Sequence, residues 1–296
     1  MLYLKINSYR ITFSVLLLSL IILLPTSIWA GKYNHPPQYR IRTIVIDAGH
    51  GDNDIGARGR ISVEKNLNLQ IALKLGKAIE AELKDVKVYY TRTTDVLIDL
   101  YKRAEFANQK KADIYISVHC NSMPNITRRV VSRYKRNRKG KRTPVYKTTR
   151  MPNTTTSGTE TFVSGYGRTG EQDVAIRENA SILLEENYKN NYDGFDPNDP
   201  ESVIVFSLMK NQFREQSIKL AAAVQHEYAK SHREDRGVKE QSLAVLARTG
   251  MPAILTEVGF ISNPEEEIYL NSENGQQEIV NNIVNAVKSY KRQIEN

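Results

Sequence analysis

A short apolar run that ends at a glycine-flanked histidine constrains the fold of this chain more than any other feature. Residues 43–46, Thr-Ile-Val-Ile, have the β-branched and apolar character of a strand buried on both faces. Gly49 and Gly51 end the run on either side of His50. Strand ends of this kind line the ligand crevice of open α/β sheets. A surface turn that contains a histidine is the alternative interpretation.

The same pattern recurs at a second histidine. Residues 113–119 form another apolar run, which ends in His119. Between the two histidines, the spacing of apolar residues predicts a helix from Glu64, a strand over 86–90 and a helix over 100–109. Strands that alternate with helices predict a sheet covered on both faces, which is an α/β three-layer sandwich.

The second half of the chain continues the α/β pattern and adds a lone carboxylate. Glu257 lies in an otherwise apolar predicted strand. Burial there is expected to raise its pKa, which suits a general base near neutral pH, and a salt-bridged structural glutamate is the alternative. Strands are predicted at 158–163, 238–247 and 253–260, and helices at 171–187, 201–231, from 264 onward and at 276–294.

The first 41 residues are set apart from this pattern. Lys5 and Arg10 precede an apolar run over 11–24, and small residues follow, which is the organisation of a signal peptide over 1–30. The run is shorter than the roughly 20 residues that span a bilayer, so an uncleaved anchor is the weaker interpretation. Residues 31–41 are predicted to be a linker. We therefore expect an exported protein, in the periplasm or cell envelope.

One segment accounts for the net charge of +9. Residues 128–150 hold eleven Lys and Arg and no acid, which leaves −2 for the rest of the chain. Such a block, within an insertion at 122–157, is typical of a disordered, solvated loop. The alternative is contact with an anionic polymer or membrane surface, with an affinity that falls as salt rises. Nucleic acid is a poor candidate partner, because no recognition motif accompanies the charge.

Three residues at the ends of predicted elements are candidate metal ligands. A catalytic zinc takes three protein ligands and keeps one position for water, and His50 and His119 offer two of them. Glu64 is the third candidate, although an acid favoured by the helix dipole is the alternative there. The spacing matches no local zinc motif, so the residues alone are compatible with a zinc site without establishing it.

Seven blocks of sequence follow one another in a recognisable order, among them Ile-Asp-Ala-Gly-His-Gly, Asp-Ile-Gly-Ala, Ser-Val-His-Cys-Asn, Gly-Thr-Glu-Thr and Thr-Glu-Val-Gly-Phe. In this order they resemble the zinc-dependent N-acetylmuramoyl-L-alanine amidases of bacterial cell walls. The match covers nearly all of residues 42–296, the predicted catalytic domain. The resemblance implies that His50, Glu64 and His119 bind zinc and that Glu257 is the catalytic carboxylate. It also implies a mixed central sheet, and hydrolysis of the amide between the lactyl group of N-acetylmuramic acid and L-alanine in peptidoglycan.

Two residues depart from the family pattern. The family usually has a second glycine after Gly51, where this chain has Asp52, and commonly has alanine where this chain has Cys120. Cys120 is the only cysteine, so no internal disulfide can form. We interpret it as a small buried residue rather than a competing zinc ligand.

A narrower resemblance concerns the subset of these amidases that separates daughter cells. In that subset, an Arg-Glu-Asn triplet on a helix places its glutamate on the zinc as a blocking ligand. Arg177-Glu178-Asn179 matches the triplet, within a predicted regulatory insertion at 166–200. The resemblance implies that Glu178 inhibits the enzyme until an activator protein displaces the helix. A surface glutamate on an ordinary helix is the alternative.

Two other functions stay open on the sequence alone. A zinc peptidase that cuts the stem peptides would need the same ligands. A non-catalytic wall-binding protein would use the basic segment, but it would have no need of an intact set of His50, Glu64, His119 and Glu257.

Overall fold

A six-stranded sheet forms the centre of the protein, in a computed structural model that describes residues 39–165, 171–192 and 212–296. The predicted signal peptide and most of the linker lie outside these ranges, as do parts of the predicted regulatory insertion and the start of the helix predicted over 201–231. No helix among the described residues is long and apolar enough to cross a lipid bilayer.

In chain order the strands are β1 Thr43–Ala48, β2 Lys87–Tyr90, β3 Ile114–Asn121, β4 Ile126–Arg136, β5 Arg142–Met151, β6 Thr159–Ser164, β7 Asp235–Gln241 and β8 Ala253–Phe260. The central sheet has the strand order β2-β1-β3-β8-β6-β7 and is mixed, as the family resemblance implied. β2, β1, β3 and β8 run parallel, whereas β6 is antiparallel to β8 and parallel to β7. The helices are α1 Glu64–Glu82, α2 Leu100–Gln109, α3 Asp173–Asn179, α4 Tyr188–Asn191, α5 Arg214–Lys230, α6 Ala244–Ala247, α7 Pro264–Asn271 and α8 Glu273–Glu295.

Helices cover both faces of the sheet because side chains alternate along each strand. On β1, Ile44 and Ile46 belong to a core with apolar residues of α1, α5 and α8. Val45, between them, belongs to a second core with α2, α3 and α6. The three-layer α/β sandwich predicted from the sequence is therefore confirmed.

Two predicted elements end earlier than expected, and one side chain explains both. The helix predicted over 171–187 stops at Asn179 and continues as a 3₁₀ turn over Ala180–Leu184. The strand predicted over 238–247 stops at Gln241, and α6 follows. The Asn179 amide donates to the Ser242 carbonyl and accepts from the Ala244 amide, both at 2.8 Å. These side-chain bonds compete with regular backbone pairing in both segments.

The basic insertion is folded, so the expectation of a disordered loop is wrong. β4 and β5 pair over ten registered positions as an antiparallel hairpin that forms its own two-stranded sheet. The strands are joined through Asn137 and Gly140, and Gly140 takes the left-handed conformation that such a turn requires (φ 75°). Threonines, valines and tyrosines between the cations supply the β propensity that the charge pattern concealed.

Candidate active site

Four buried side chains predicted from the sequence come together at one edge of the sheet. One ligand atom from each of His50, Glu64, His119 and Glu178 lies within 4.8 Å of all the others. His50 Nε2 is 3.2 Å from both Glu64 Oε1 and Glu178 Oε2, and His119 Nδ1 is 3.0 Å from the same two oxygens. The arrangement can hold one metal ion, while the role of each residue as a ligand stays a prediction.

The topology of the sheet explains why the two histidines meet. β1 and β3 are parallel neighbours, so their carboxyl ends lie at the same edge. His119 is within β3, and His50 follows β1 in the left-handed backbone conformation, with φ of 62°. A non-glycine residue rarely adopts this conformation unless the surrounding structure fixes it.

A buried network below the cluster fixes that backbone. Arg103 donates to Asp47 Oδ1 at 2.8 Å and to the His50 carbonyl at 2.9 Å. Arg92 donates to the Gly49 carbonyl at 2.9 Å. Burial would raise the pKa of Asp47, but Arg103 and hydroxyl donors hold it well below its usual range. Asp47 is therefore charged and balances Arg103 inside the protein. No sequence pattern indicated that Asp47, Arg92 and Arg103 fix this backbone.

Two glycines leave the space that the cluster occupies. A Cβ atom at Gly49 would lie 2.2 Å from the His119 ring, and one at Gly56 would lie 2.6 Å from the His50 ring. Any side chain at either position would displace a histidine. The Gly49-His50-Gly51 pattern thus serves close approach of side chains as well as a sharp turn.

Asp54 orients His50. Its Oδ2 atom lies 2.8 Å from His50 Nδ1 and accepts from the Ser181 hydroxyl at 2.6 Å. A proton on Nδ1 leaves Nε2 free to face Glu64 and Glu178 as a ligand. No pattern in the sequence assigned Asp54 this role.

The four donor atoms have the chemistry of a zinc site. Two imidazole nitrogens and two carboxylate oxygens match the ligand types of four-coordinate zinc. Among the described residues, His50 Nε2 and Glu178 Oε2 are buried without a hydrogen-bond partner, although charged groups surround them. Buried ligand atoms that converge on a common point without hydrogen bonds are expected where a cation binds between them.

The charges of the cluster reinforce one another. Burial would lower the pKa of His119, but Glu178 and Glu64 raise it to about 9. Burial would raise the pKa of Glu178, but His119 and Arg177 hold it well below its usual value. Without a metal ion, the site therefore keeps cationic histidines between carboxylates, and a metal ion would replace those protons.

Glu257 lies beside this cluster, and its elevated pKa agrees with the sequence-based expectation. It is fully buried on β8, paired in register with His119 on β3. Burial raises the pKa of Glu257 to about 8, although Arg177 opposes the shift. Oε1 accepts from Arg177 Nη2 at 2.9 Å, whereas Oε2 has no partner among the described residues. The salt bridge considered as an alternative is thus present too, but its partner comes from the predicted regulatory insertion.

Arg177 links helix α3, which lies in the predicted regulatory insertion, to the candidate active site. It donates to Glu178 Oε1 at 2.8 Å, to Asn121 Oδ1 at 3.0 Å and to the Ser122 carbonyl at 3.2 Å, in addition to Glu257. Helix α3 therefore contacts the site in two ways: Glu178 lies within the cluster, and Arg177 binds Glu257 beside it. Sequence analysis quoted Arg177 only as part of a triplet, because nothing local indicates a partner 80 residues away.

The two departures from the family pattern leave the cluster intact. Cys120 is fully buried as a free thiol, and burial raises its pKa well above the usual value, so the thiol stays protonated. Asp52 is exposed and has φ of 50°, a conformation that favours glycine but that aspartate tolerates.

Known proteins are similar to this chain in sequence and in fold. A family model described as N-acetylmuramoyl-L-alanine amidase matches residues 44–289. The amidase AmiC of Escherichia coli is 31% identical over 252 residues, which is 83% of this chain and 52% of AmiC, so this chain spans about half of that relative. AmiA of Escherichia coli is 26% identical, covering 84% of this chain and 76% of AmiA.

A solved structure gives the same assignment. The N-acetylmuramoyl-L-alanine amidase of Clostridium difficile 630 superposes with a TM-score of 0.57 at 28% identity, covering 85% of this chain and 97% of that one. The buried cluster of His50, Glu64, His119 and Glu178 is consistent with the zinc site of such enzymes. The chain therefore belongs to the N-acetylmuramoyl-L-alanine amidase family.

Proposed function

We propose that this protein hydrolyses the amide between the lactyl group of N-acetylmuramic acid and L-alanine in peptidoglycan, and that it is self-inhibited. The observation that carries the proposal is the convergence of His50, Glu64 and His119 beside the buried carboxylate of Glu257. Membership of the amidase family supports the substrate, and the two histidines and two carboxylates support the chemistry.

Each side chain has a defined part in this mechanism. His50, Glu64 and His119 hold zinc, which when bound supplies Lewis acidity for the amide carbonyl and lowers the pKa of water. Glu257 Oε2, which accepts no hydrogen bond from any described residue, takes the proton of the attacking water and passes it to the leaving amine of L-alanine. Burial raises the pKa of Glu257, which suits a general base near neutral pH.

Self-inhibition is proposed because one helix engages both parts of the site. Glu178 adds a fourth ligand atom to the cluster, and with zinc bound it would take the place that water and substrate need. Arg177 on the same helix binds the carboxylate of Glu257 at 2.9 Å. While α3 is docked, Glu178 therefore lies within the cluster and Glu257 is held in an ion pair with Arg177.

Contacts beyond α3 hold the rest of the proposed regulatory segment, residues 171–192, on the domain. Glu185 accepts from the Leu100 amide at 2.7 Å, and Tyr192 binds the Tyr101 amide at 2.9 Å, both at the start of α2. Burial raises the pKa of Glu185 to about 7.

Three large apolar side chains of the segment are exposed. Ile176, Leu183 and Leu184 are 52%, 43% and 46% exposed. We propose that an activator protein binds these side chains and draws the segment away, as a step in wall remodelling or daughter-cell separation.

The proposed reaction takes place outside the cytoplasm. The names of the family relatives support a peptidoglycan substrate, and the signal-peptide pattern of residues 1–30 supports export to the periplasm or cell envelope. That segment lies outside the described residues.

The test compares two matched variants on purified peptidoglycan without any partner protein. Glu178→Ala is expected to digest the wall and expose the amine of L-alanine, detected by mass spectrometry. The control Glu186→Ala removes an exposed glutamate of the same segment and should stay as inactive as the wild type. A different new amine would indicate a stem-peptide peptidase, and equal activity of both variants and the wild type would refute self-inhibition.

A further inference from the structure

The most basic part of the chain is a folded surface that begins close to the candidate active site. The β4–β5 hairpin carries all eleven Lys and Arg of residues 128–150. It starts five residues after Asn121, the side chain that binds Arg177 at 3.0 Å. A polymer bound in the active site could therefore extend onto this cationic surface.

A bulge in β4 places arginine and tyrosine side chains together on one face of the hairpin. Residues opposite each other in an antiparallel pair lie on the same face. The pairing shifts between Val131 and Arg133, so Ser132 is an extra residue that reverses the alternation beyond it. We call the resulting surface the Arg–Tyr face. Its cationic and aromatic members are Arg129, Tyr134, Arg136, Arg142, Tyr146 and Arg150.

Stacked pairs order this face without covering it. The guanidinium carbon of Arg129 lies 4.7 Å from the Tyr146 ring centroid, and that of Arg142 lies 4.7 Å from the Tyr134 centroid. The two tyrosines remain 47% and 55% exposed. Stacking restrains each guanidinium and leaves its N–H edge available for a carboxylate. The opposite face also has four cations, namely Arg128, Arg133, Lys135 and Lys147.

We propose that the Arg–Tyr face binds the glycan strand and stem peptides of peptidoglycan outside the active site, an inference that rests on the proposed function. Free carboxylates of stem peptides suit the arginines, and sugar rings suit the exposed tyrosine faces. From Arg142 to Arg150, β5 is about 27 Å long at about 3.4 Å per residue. This length matches an extended polymer better than a compact ligand. The hairpin therefore anchors the enzyme on its insoluble substrate.

A lipid surface fits the hairpin less well. Interfacial anchors bury apolar side chains, but the projecting turn over 137–141 contains Arg138, Lys139 and Lys141 and no apolar residue. Cations also lie on both faces of the hairpin, and a flat surface can meet only one face at a time. Charge complementarity with a carboxylate-bearing polymer accounts for the composition of the Arg–Tyr face.

The test is sedimentation of the full chain with purified peptidoglycan, in a Glu257→Gln background that prevents digestion. One variant replaces the four arginines of the Arg–Tyr face with glutamine, and its matched control replaces the four cations of the opposite face. We expect at least about tenfold weaker binding for the first and less than about threefold for the second. Tyr134→Ala with Tyr146→Ala changes no charge and should also weaken binding. The protein with an unmodified hairpin should bind weakly to peptidoglycan whose carboxylates have been amidated.

Equal losses in the two charge variants, undiminished binding to amidated wall, or tighter binding to phosphatidylglycerol vesicles than to wall would overturn the proposal. A second assay separates this outcome from failure of the proposed function. In a Glu178→Ala background, hydrolysis of a soluble disaccharide-peptide, which lacks the long glycan strand that the hairpin is proposed to bind, should keep its kcat and KM in every hairpin variant. If that fragment is not hydrolysed at all, the proposed function fails while the sedimentation result still stands.

Discussion

Replacing Arg177 with alanine is expected to release the regulatory segment and raise basal amidase activity. Three of its hydrogen bonds reach atoms outside the segment, at Glu257, Asn121 and Ser122, over 2.9 to 3.2 Å. Such charged bonds contribute up to about 3 kcal/mol each, and the 29% exposure of Arg177 reduces this to roughly 1 kcal/mol each. A total of about 3 kcal/mol shifts the docked-to-released equilibrium roughly 100-fold.

The assay is release of soluble fragments from dye-labelled peptidoglycan without a partner protein. Lys189→Ala removes an exposed cation from the same segment and should leave the activity unchanged. Zinc content should be the same in all variants, since Arg177 supplies no ligand. Unchanged activity in Arg177→Ala would refute the locking role. Loss of activity when Arg177→Ala is added to Glu178→Ala would instead assign Arg177 to catalysis.

Three further predictions follow from the cluster. Glu257→Gln should retain zinc but lower kcat by about 10²- to 10⁴-fold, measured on a soluble muramoyl peptide in the Glu178→Ala background; loss of zinc instead would make Glu257 a ligand. Gly49→Ala should weaken zinc binding more than about tenfold in a chelator competition, because the added Cβ would lie 2.2 Å from the His119 ring, and unchanged affinity would contradict the packing described here. In the metal-stripped protein, the raised pKa of His119 contributes stability that is present below about pH 6.5 and is lost as pH approaches about 9. The Tm of this protein should therefore fall across this window, and a rising Tm would contradict the argument. Zinc affinity should increase over the same pH range, because zinc competes with fewer protons.

Buried residues predicted the elements that form the cores. The helix over Leu100–Gln109 has the predicted bounds because its buried residues recur at helical spacing. The strand over Ala253–Phe260 has them because it is a nearly continuous apolar run that is buried on both faces. The basic hairpin was missed because its paired strands alternate cations with threonine and tyrosine rather than with buried apolar residues. Cross-strand pairing, and not a buried face, defines that element.

Sequence blocks identified the cluster residues but not the groups that position them. His50 and His119 were found because each ends an apolar run, and Glu257 because a carboxylate is unusual in such a strand. Arg103 and Arg177 act through bonds to residues 53 to 80 positions away, which no local pattern reveals. Their roles emerge only when the fold places these segments together.

The most direct test of the account is anomalous diffraction at the zinc edge from crystals of the wild-type protein. The account predicts one peak at about 2.0–2.2 Å from nitrogen atoms of His50 and His119 and carboxylate oxygens of Glu64 and Glu178. A peak without Glu178 among its ligands would contradict self-inhibition, and no peak at this cluster in zinc-loaded crystals would contradict the metal centre itself.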